Sequence, residues 1–219
     1  LDGQISGLSP KEPISRAVFL CKNEKGYKAL TKLVTKSYME GQRGGGPTIE
    51  RSWLVNAGQD LIVLSGGRNG DVGKAIIAGN QKLSEEYIEF WSTNFTNNYY
   101  IELQRTGREE EELYMQHALR LAAKYSLPVV ASNDVRFLYC EDFDTHEARV
   151  CIQTGRVLND SRRPKLYSEQ QYLRSSEEML ELFQDIPEAI TNSVEIAKRC
   201  NVTLTLGGNV LPEFPIPDA

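Results

Sequence analysis

The chain has 219 residues, of which 40% are hydrophobic and 25% are charged, which is typical of a globular protein with a sizeable core. Its net charge of −5 argues against a self-sufficient nucleic-acid-binding protein, because attraction to phosphates dominates such binding. No apolar run approaches the ~20 residues of a membrane span and no signal segment opens the chain, so we expect a cytoplasmic protein without membrane contact.

Predicted strands and helices alternate along the chain through residue 154. Short apolar runs bounded by turn residues predict buried strands at 17–21, 61–64, 99–103 and 129–130. Apolar residues at three-to-four spacing predict helices at 30–38, 71–78, 83–90, 109–125 and 143–153. This order favours an α/β fold with a parallel sheet or barrel, in which chemistry gathers at the carboxyl ends of the strands.

The pattern changes beyond Gly155, where helices dominate. We predict helices at 177–184 and 187–199, and a last short strand at 202–206. The final stretch contains Pro212, Pro215 and Pro217, which predicts an extended linker. We therefore assign residues 1–206 to one domain with a helical C-terminal part, and residues 207–219 to a linker that leaves it.

A polar segment, "ASNDVRFL" (131–138), follows the predicted strand at 129–130. An Asp-x-His pair at a strand end can hold a catalytic metal, because both side chains converge on one ion. Here Asp134 is followed by Arg136, and a guanidinium cannot be a metal ligand. From the residues alone, this segment is open to interpretation as a metal site, a former metal site or an ordinary loop.

Other polar features have simpler interpretations. The Gly-rich stretch 64–74 lacks the Walker and dinucleotide-binding spacings, so we predict a tight turn that leads into a helix. Glu102 lies within a predicted strand and must face a partner or a cavity, because an unpaired buried carboxylate is costly.

His146 has acidic neighbours, but they are expected to lie at a helix start. The four cysteines show no metal-type spacing and are expected to be reduced and buried.

Several stretches together resemble the PHP (polymerase and histidinol phosphatase) domain of the alpha-subunit family of bacterial replicative DNA polymerase III. They are "VFLCKNEKGYKALTKLVTKSY" (18–38), "LIVLSGGRNGDVG" (61–73), "IELQRTG" (101–107), "LPVVASNDVRFL" (127–138) and "IPEAITNSVEIAKRCNV" (186–202). The resemblance implies an irregular (β/α)7 barrel and an exit, at residues 207–219, toward polymerase domains. Because the chain begins at Leu1, we expect a fragment whose first strands, with further metal ligands, lie upstream.

The resemblance also implies where metal ligands would lie in metal-bearing members. The closing Asp-x-His corresponds to Asp134 and Arg136, a His-Gly corresponds to Thr106-Gly107, and a further His corresponds to Arg16. One acid cannot hold a metal cluster, so we predict no catalytic residue and no metal in this chain. We expect Arg16 or Arg136 to neutralise Asp134 by a salt bridge, so that Arg136→Ala destabilises the domain.

The implied function is that of a catalytically silent domain of a DNA-directed DNA polymerase, a nucleotidyltransferase. It would brace the polymerase core and dock the proofreading exonuclease subunit beside other replicase subunits. Other domains of the parent would contact DNA and bind Mg²⁺. One alternative is an active metal-dependent phosphoesterase that uses His146, Asp134 and upstream residues. Another is a free-standing anion-binding module.

Overall fold

The computed structural model describes residues 2–5, 14–43, 46–55, 57–204 and 206–207. Within them the strands are β1 (Asp2–Ile5), β2 (Ser15–Cys21), β3 (Gln42–Arg43), β4 (Gly46–Pro47), β5 (Leu61–Leu64), β6 (Tyr99–Gln104) and β7 (Val129–Ser132). The α-helices are α1 (Glu24–Met39), α2 (Asp71–Ile77), α3 (Gln81–Asn94), α4 (Glu111–Tyr125), α5 (Phe143–Thr154), α6 (Ser176–Leu182) and α7 (Pro187–Arg199). Short 3₁₀ turns occupy Arg51–Leu54, Gly67–Asn69 and Cys140–Asp142.

Five of the strands form one mixed sheet in the order β1-β2-β5-β6-β7. β5, β6 and β7 are parallel, whereas β2 pairs antiparallel with both β1 and β5. The prediction of a parallel sheet is therefore right for β5 to β7 and wrong for β2. Alternation of strand and helix did not fix the direction of β2, because the long connection to β5 accommodates either orientation.

The centre of the sheet is buried on both faces. Alternate residues of β5 and β6 point to opposite sides. One side, with Val63 and Ile101, packs in the main core with Trp91 of α3 and Tyr114 of α4. The other side, with Ile62 and Tyr100 among its residues, packs against Ile196 of α7. Two helical layers therefore cover the sheet, which fixes β5 and β6 rigidly enough to position side chains at their ends.

Most predicted elements are confirmed, and the largest error is at the end of the domain. Residues 61–64 and 187–199 are a strand and a helix with the predicted bounds. The predicted strand at 202–206 is wrong, because residues 202–204 and 206 are not in a strand. Leu204 and Leu206 are exposed, so the apolar side of this segment is not buried against the rest of the domain. Residues 208–219 of the predicted linker lie outside the described part of the chain.

Two further expectations concern the cysteines and the membrane. All four cysteines are free thiols, but only Cys151 is buried and Cys140 is exposed, so their expected burial is wrong in part. In the described segments, no helix is both long and apolar enough to cross a bilayer.

Candidate functional site

The site lies where the carboxyl ends of β5, β6 and β7 meet the amino end of β2. Because β2 is antiparallel to β5, with Val18 opposite Leu64, its first residues lie beside the end of β5. A tight turn at Gly66 makes this approach possible. Gly66 has φ of +77°, and a Cβ there would lie 2.2 Å from the carbonyl oxygen of Arg16. The predicted tight turn after β5 is thus confirmed, and only glycine fits it.

The structure brings together all four positions singled out by the sequence. Arg16 near the start of β2 and Arg136 after β7 line one cleft of about 810 Å³. Asp134 bonds to Arg136, and Thr106 is buried after β6, where it bonds to Arg108. Three different strand ends therefore supply one connected cluster.

Asp134 accepts hydrogen bonds at both of its carboxylate oxygens. Arg136 donates to Oδ1 at 2.7 Å, Arg108 donates to Oδ2 at 2.9 Å, and Gln171 Nε2 donates to Oδ2 at 3.0 Å. The residue has φ of +43°, a left-handed conformation that Asp tolerates better than most residues. The expected salt bridge to Asp134 is confirmed for Arg136, and Arg108 is a second partner.

Arg108 links the ends of β6 and β7, and the sequence interpretation missed it. Its guanidinium donates to Asp134, to Gln104 Oε1 at 3.1 Å, to Thr106 Oγ1 at 2.8 Å and to Glu111 Oε1 at 2.9 Å. The side chain is only 9% exposed, so these charge-assisted bonds form in a medium of reduced dielectric constant. Gly107, with φ of +72°, turns the chain so that Arg108 faces back toward the strand ends.

Glu111 supports this arrangement from the first turn of α4. It is buried and accepts from the Thr106 backbone N–H at 2.7 Å and from the Thr106 hydroxyl at 2.5 Å. Acidic residues at a helix start are favoured by the helix dipole, which accounts for the composition of the run Glu109 to Glu112 but not for the burial of Glu111. The available signal was Arg108 immediately before that run, since an arginine beside buried acids favours ion pairing.

Glu102 lies under the cluster, in the middle of β6. It is buried, as expected, and accepts from the Gly66 backbone N–H at 3.1 Å, from Gln104 Nε2 at 3.2 Å and from the Ser132 hydroxyl. Burial raises the pKa of Glu102, and the hydrogen bonds from Ser132 and Gln104 oppose that rise. The carboxyl group therefore has the partners that the sequence required.

Positive charges crowd one another at the rim of the cluster. Burial lowers the pKa of Arg16, nearby Arg136 lowers it further, and Asp134 opposes both effects. Arg136 in turn lies over the ring of Tyr167, with 5.6 Å between the guanidinium carbon and the ring centroid. The cations of the cleft are thus only partly neutralised by the carboxylates around them.

His146 does not join this cluster. It is buried on α5 between Phe137 and Tyr167, with ring centroids 5.4 and 4.7 Å away. Burial lowers the pKa of His146, and Glu147 opposes that change. Glu147 itself pairs with Arg163. The imidazole is therefore part of an aromatic packing cluster.

The residues present do not fit a divalent metal. Both oxygens of Asp134 are engaged by N–H donors, and two of these donors belong to guanidiniums that would repel a cation. Across the residues with described positions, no group of three or more His, Cys, Asp or Glu side chains could hold a metal ion. The carboxylate of Asp134 is therefore placed to orient the guanidiniums of Arg108 and Arg136 rather than to bind a metal ion.

Comparison with known proteins places these residues in a family context. Residues 4–106 match the family described as "PHP domain", a span that includes Arg16 and Thr106 but ends before Asp134. The chain is 53% identical over 204 residues to a DNA polymerase III subunit alpha of Vibrio cholerae, covering 93% of the chain. It is 51% identical over 207 residues to the Escherichia coli K12 protein of that name, covering 94% of the chain.

A relative from a third genus shows the same extent of similarity. The chain is 48% identical over 214 residues to a DNA polymerase III subunit alpha of Pseudomonas fluorescens, covering 98% of the chain. In each of these comparisons the chain spans 18% of the relative's own length. The similarity therefore extends over nearly all of this chain and over a small part of each relative.

Proposed function

Because the chain belongs to the family of PHP domains found in DNA polymerase III alpha subunits, we propose that its parent is a DNA-directed DNA polymerase. That parent would replicate the chromosome in the cytoplasm. The five-stranded sheet and the helices around it would be part of an irregular (β/α)7 barrel formed by residues 1–206. Residues 207–219 would lead toward the polymerase domains, where Mg²⁺ would serve nucleotide transfer.

The domain itself would be catalytically silent. The observation that supports this most directly is the pairing of Asp134 with Arg108 and Arg136 at 2.9 and 2.7 Å. These guanidiniums supply the positive charge that a metal ion would supply to the carboxylate in a hydrolytic site. With three N–H donors on its two oxygens, Asp134 has little acceptor capacity left for a nucleophilic water or a metal ion.

A silent domain would act through its surfaces. Family resemblance supports a role in bracing the polymerase core and in docking the proofreading exonuclease subunit beside other replicase subunits. DNA would be contacted mainly by other domains of the parent, which is consistent with the net charge of −5 of this chain.

The test is the metal content of the intact protein after dialysis against metal-free buffer, measured by mass spectrometry. We expect less than about one tenth of an equivalent of zinc or manganese, because metal affinity depends on several deprotonated ligands. A matched variant, Arg16→His with Thr106→His and Arg136→His, returns imidazoles to three positions and should gain metal. Stoichiometric metal in the unaltered protein that Asp134→Ala abolishes would instead establish the phosphoesterase alternative.

A further inference from the structure

One side of α1 carries a row of lysines. With 3.6 residues per turn, all four lysines of this helix fall within an arc of about 80° and extend over about 16 Å of the helix axis. This lysine row consists of Lys25, Lys28, Lys32 and Lys36. The first three are exposed and the last is half-buried. The buried residues of α1 lie on another side of the helix, and they are Gly26, Leu30, Leu33 and Ser37.

The lysine row concentrates positive charge in an acidic chain. α1 contains four lysines and one acid, so its net charge is +3, whereas that of the whole chain is −5. Lys28 Nζ lies 2.8 Å from Glu24, and Lys36 Nζ lies 3.7 Å from Glu40. Exposed ion pairs of this kind contribute little and are screened by salt, so another anion can replace either acid. Two lysines have no ion-pair partner in the described part of the chain, namely Lys25 and Lys32.

We propose that the lysine row binds the phosphate backbone of single-stranded DNA, in addition to the contacts that other domains of the parent make. The inference rests on the proposed function, in which the parent is a DNA polymerase and handles such a strand as its template. Lysines that neutralise phosphates release the counter-ions of the strand, which drives binding without dependence on base sequence. A row along one helix can follow successive phosphates.

The composition of this surface favours a nucleic acid over an acidic protein. Lysine is depleted at protein–protein interfaces, where aromatic residues, methionine and arginine are enriched. Binding energy at such interfaces comes mainly from a few anchors that fill pockets. A polyanion instead needs cations at intervals along its path. Four lysines at intervals of three or four residues meet that need.

Two exposed tyrosines border the same surface and favour a single strand. Tyr27 and Tyr38 are 43% and 63% exposed and lie on one side of α1, eleven residues apart. Thr31 and Thr35 lie between them and the lysine row, and their hydroxyls donate to carbonyl oxygens of the helix. Bases of a single strand can stack on exposed aromatic rings, whereas bases in a duplex are already stacked on one another.

The test is fluorescence anisotropy of a labelled oligothymidylate with the intact parent protein at several salt concentrations. The triple variant Lys25→Gln with Lys28→Gln and Lys32→Gln removes three cations and keeps good helix formers. We expect affinity at low salt to fall about tenfold. The slope of log K against log salt concentration should become shallower by about 2, because each phosphate contact on a single strand contributes about 0.7. Lys36 is kept because its Nζ lies 4.4 Å from the ring centroid of Trp53.

The matched control removes three exposed lysines of other helices and changes the net charge equally. It is Lys82→Gln with Lys124→Gln and Lys198→Gln, and it should leave affinity and salt slope unchanged. An equal loss in both triple variants would overturn the proposal, since net charge alone would explain it. Unchanged DNA affinity in the lysine-row variant would also overturn it. If that variant instead lost binding to polyglutamate, the row would be assigned to an acidic protein.

The preference for a single strand is tested with the double variant Tyr27→Ala with Tyr38→Ala. It should weaken binding of the oligothymidylate about threefold or more and leave binding of a duplex unchanged, because only unpaired bases can stack on the rings. An equal loss for the duplex would overturn the assignment to a single strand.

Primer extension by the same preparations separates this inference from the proposed function. A parent that extends a primer, but whose DNA affinity does not depend on the lysine row, would overturn the inference alone. A parent that neither binds DNA nor extends a primer would overturn the proposed function as well.

Discussion

Two arginine–carboxylate pairs of nearly equal length lie in contrasting parts of the molecule. Arg51 and Asp71 are 2.8 Å apart with side chains 5% and 3% exposed, and they lie in the core beside α3. Arg108 and Asp134 are 2.9 Å apart with side chains 9% and 15% exposed, and they lie beneath the cleft. The pair chemistry is the same, and only the surroundings differ.

The surroundings decide what each pair can do. Arg51 is enclosed by the rings of Tyr87, Phe90 and Trp91, and Asp71 also accepts from Trp91 Nε1 at 2.8 Å. This pair is shielded from solvent, and it connects the 3₁₀ turn at Arg51–Leu54 with α2 and α3. The pair beneath the cleft presents its cation to a solvent-accessible space. A buried ion pair therefore indicates function only when part of it faces a ligand-sized cavity.

The sealed pair should give the largest loss when it is broken. Arg51→Met leaves the carboxylate of Asp71 buried without its counter-ion, so we expect the free energy of unfolding to fall by about 3–5 kcal/mol. Urea unfolding followed by tryptophan fluorescence measures this. Arg162→Met, at a side chain that is 89% exposed, should change stability by less than about 0.5 kcal/mol. A loss below about 1 kcal/mol for Arg51→Met would show that water reaches Asp71 and solvates its charge when Arg51 is removed.

The pair at the cleft should be more tolerant. Arg136→Ala should lower the free energy of unfolding by about 1–2 kcal/mol, because Arg108 and Gln171 still hold Asp134. Thermal unfolding of this variant is compared with that of Arg120→Ala, an exposed arginine of α4. An unaltered melting temperature for Arg136→Ala would show that Arg136 does not stabilise the domain by neutralising Asp134.

The smallest effect concerns Glu102 and pH. Because burial raises the pKa of Glu102, the folded protein binds its proton more tightly than the unfolded chain does. Its stabilising contribution is present below the unfolded pKa of about 4.3 and is lost as pH rises through the folded pKa. Wild-type protein should therefore lose stability relative to Glu102→Gln as the pH rises above about 4.3. Urea midpoints that keep a constant difference would contradict this.

Local sequence patterns predicted most of the fold, because its strands and helices bury continuous apolar runs or stripes. The strand at 61–64 and the helix at 187–199 are examples. The direction of β2 was out of reach, since it depends on pairing with β1 and β5 rather than on its own residues. The strand predicted at 202–206 failed because β-propensity without a buried face does not form a strand.

The candidate site was predictable where it coincided with a family motif, and not elsewhere. Asp134 and Arg136 lie two residues apart, so their pairing could be expected from the sequence. Arg108 is 26 residues from Asp134, and its role depends on the turn at Gly107 and on the adjacency of β6 and β7. Contacts of that kind are set by tertiary structure. Periodicity cannot reveal them.

The left-handed backbone of Asp134 has a consequence for sequence variation. At φ of +43°, most side chains clash with their own backbone, whereas Gly, Asn and Asp are accommodated. Asparagine could thus replace Asp134 and preserve the path of the loop while removing its charge. An Asp at this position can be retained for its backbone conformation alone. Its presence in a homologous sequence is therefore not sufficient evidence that a metal ion binds there.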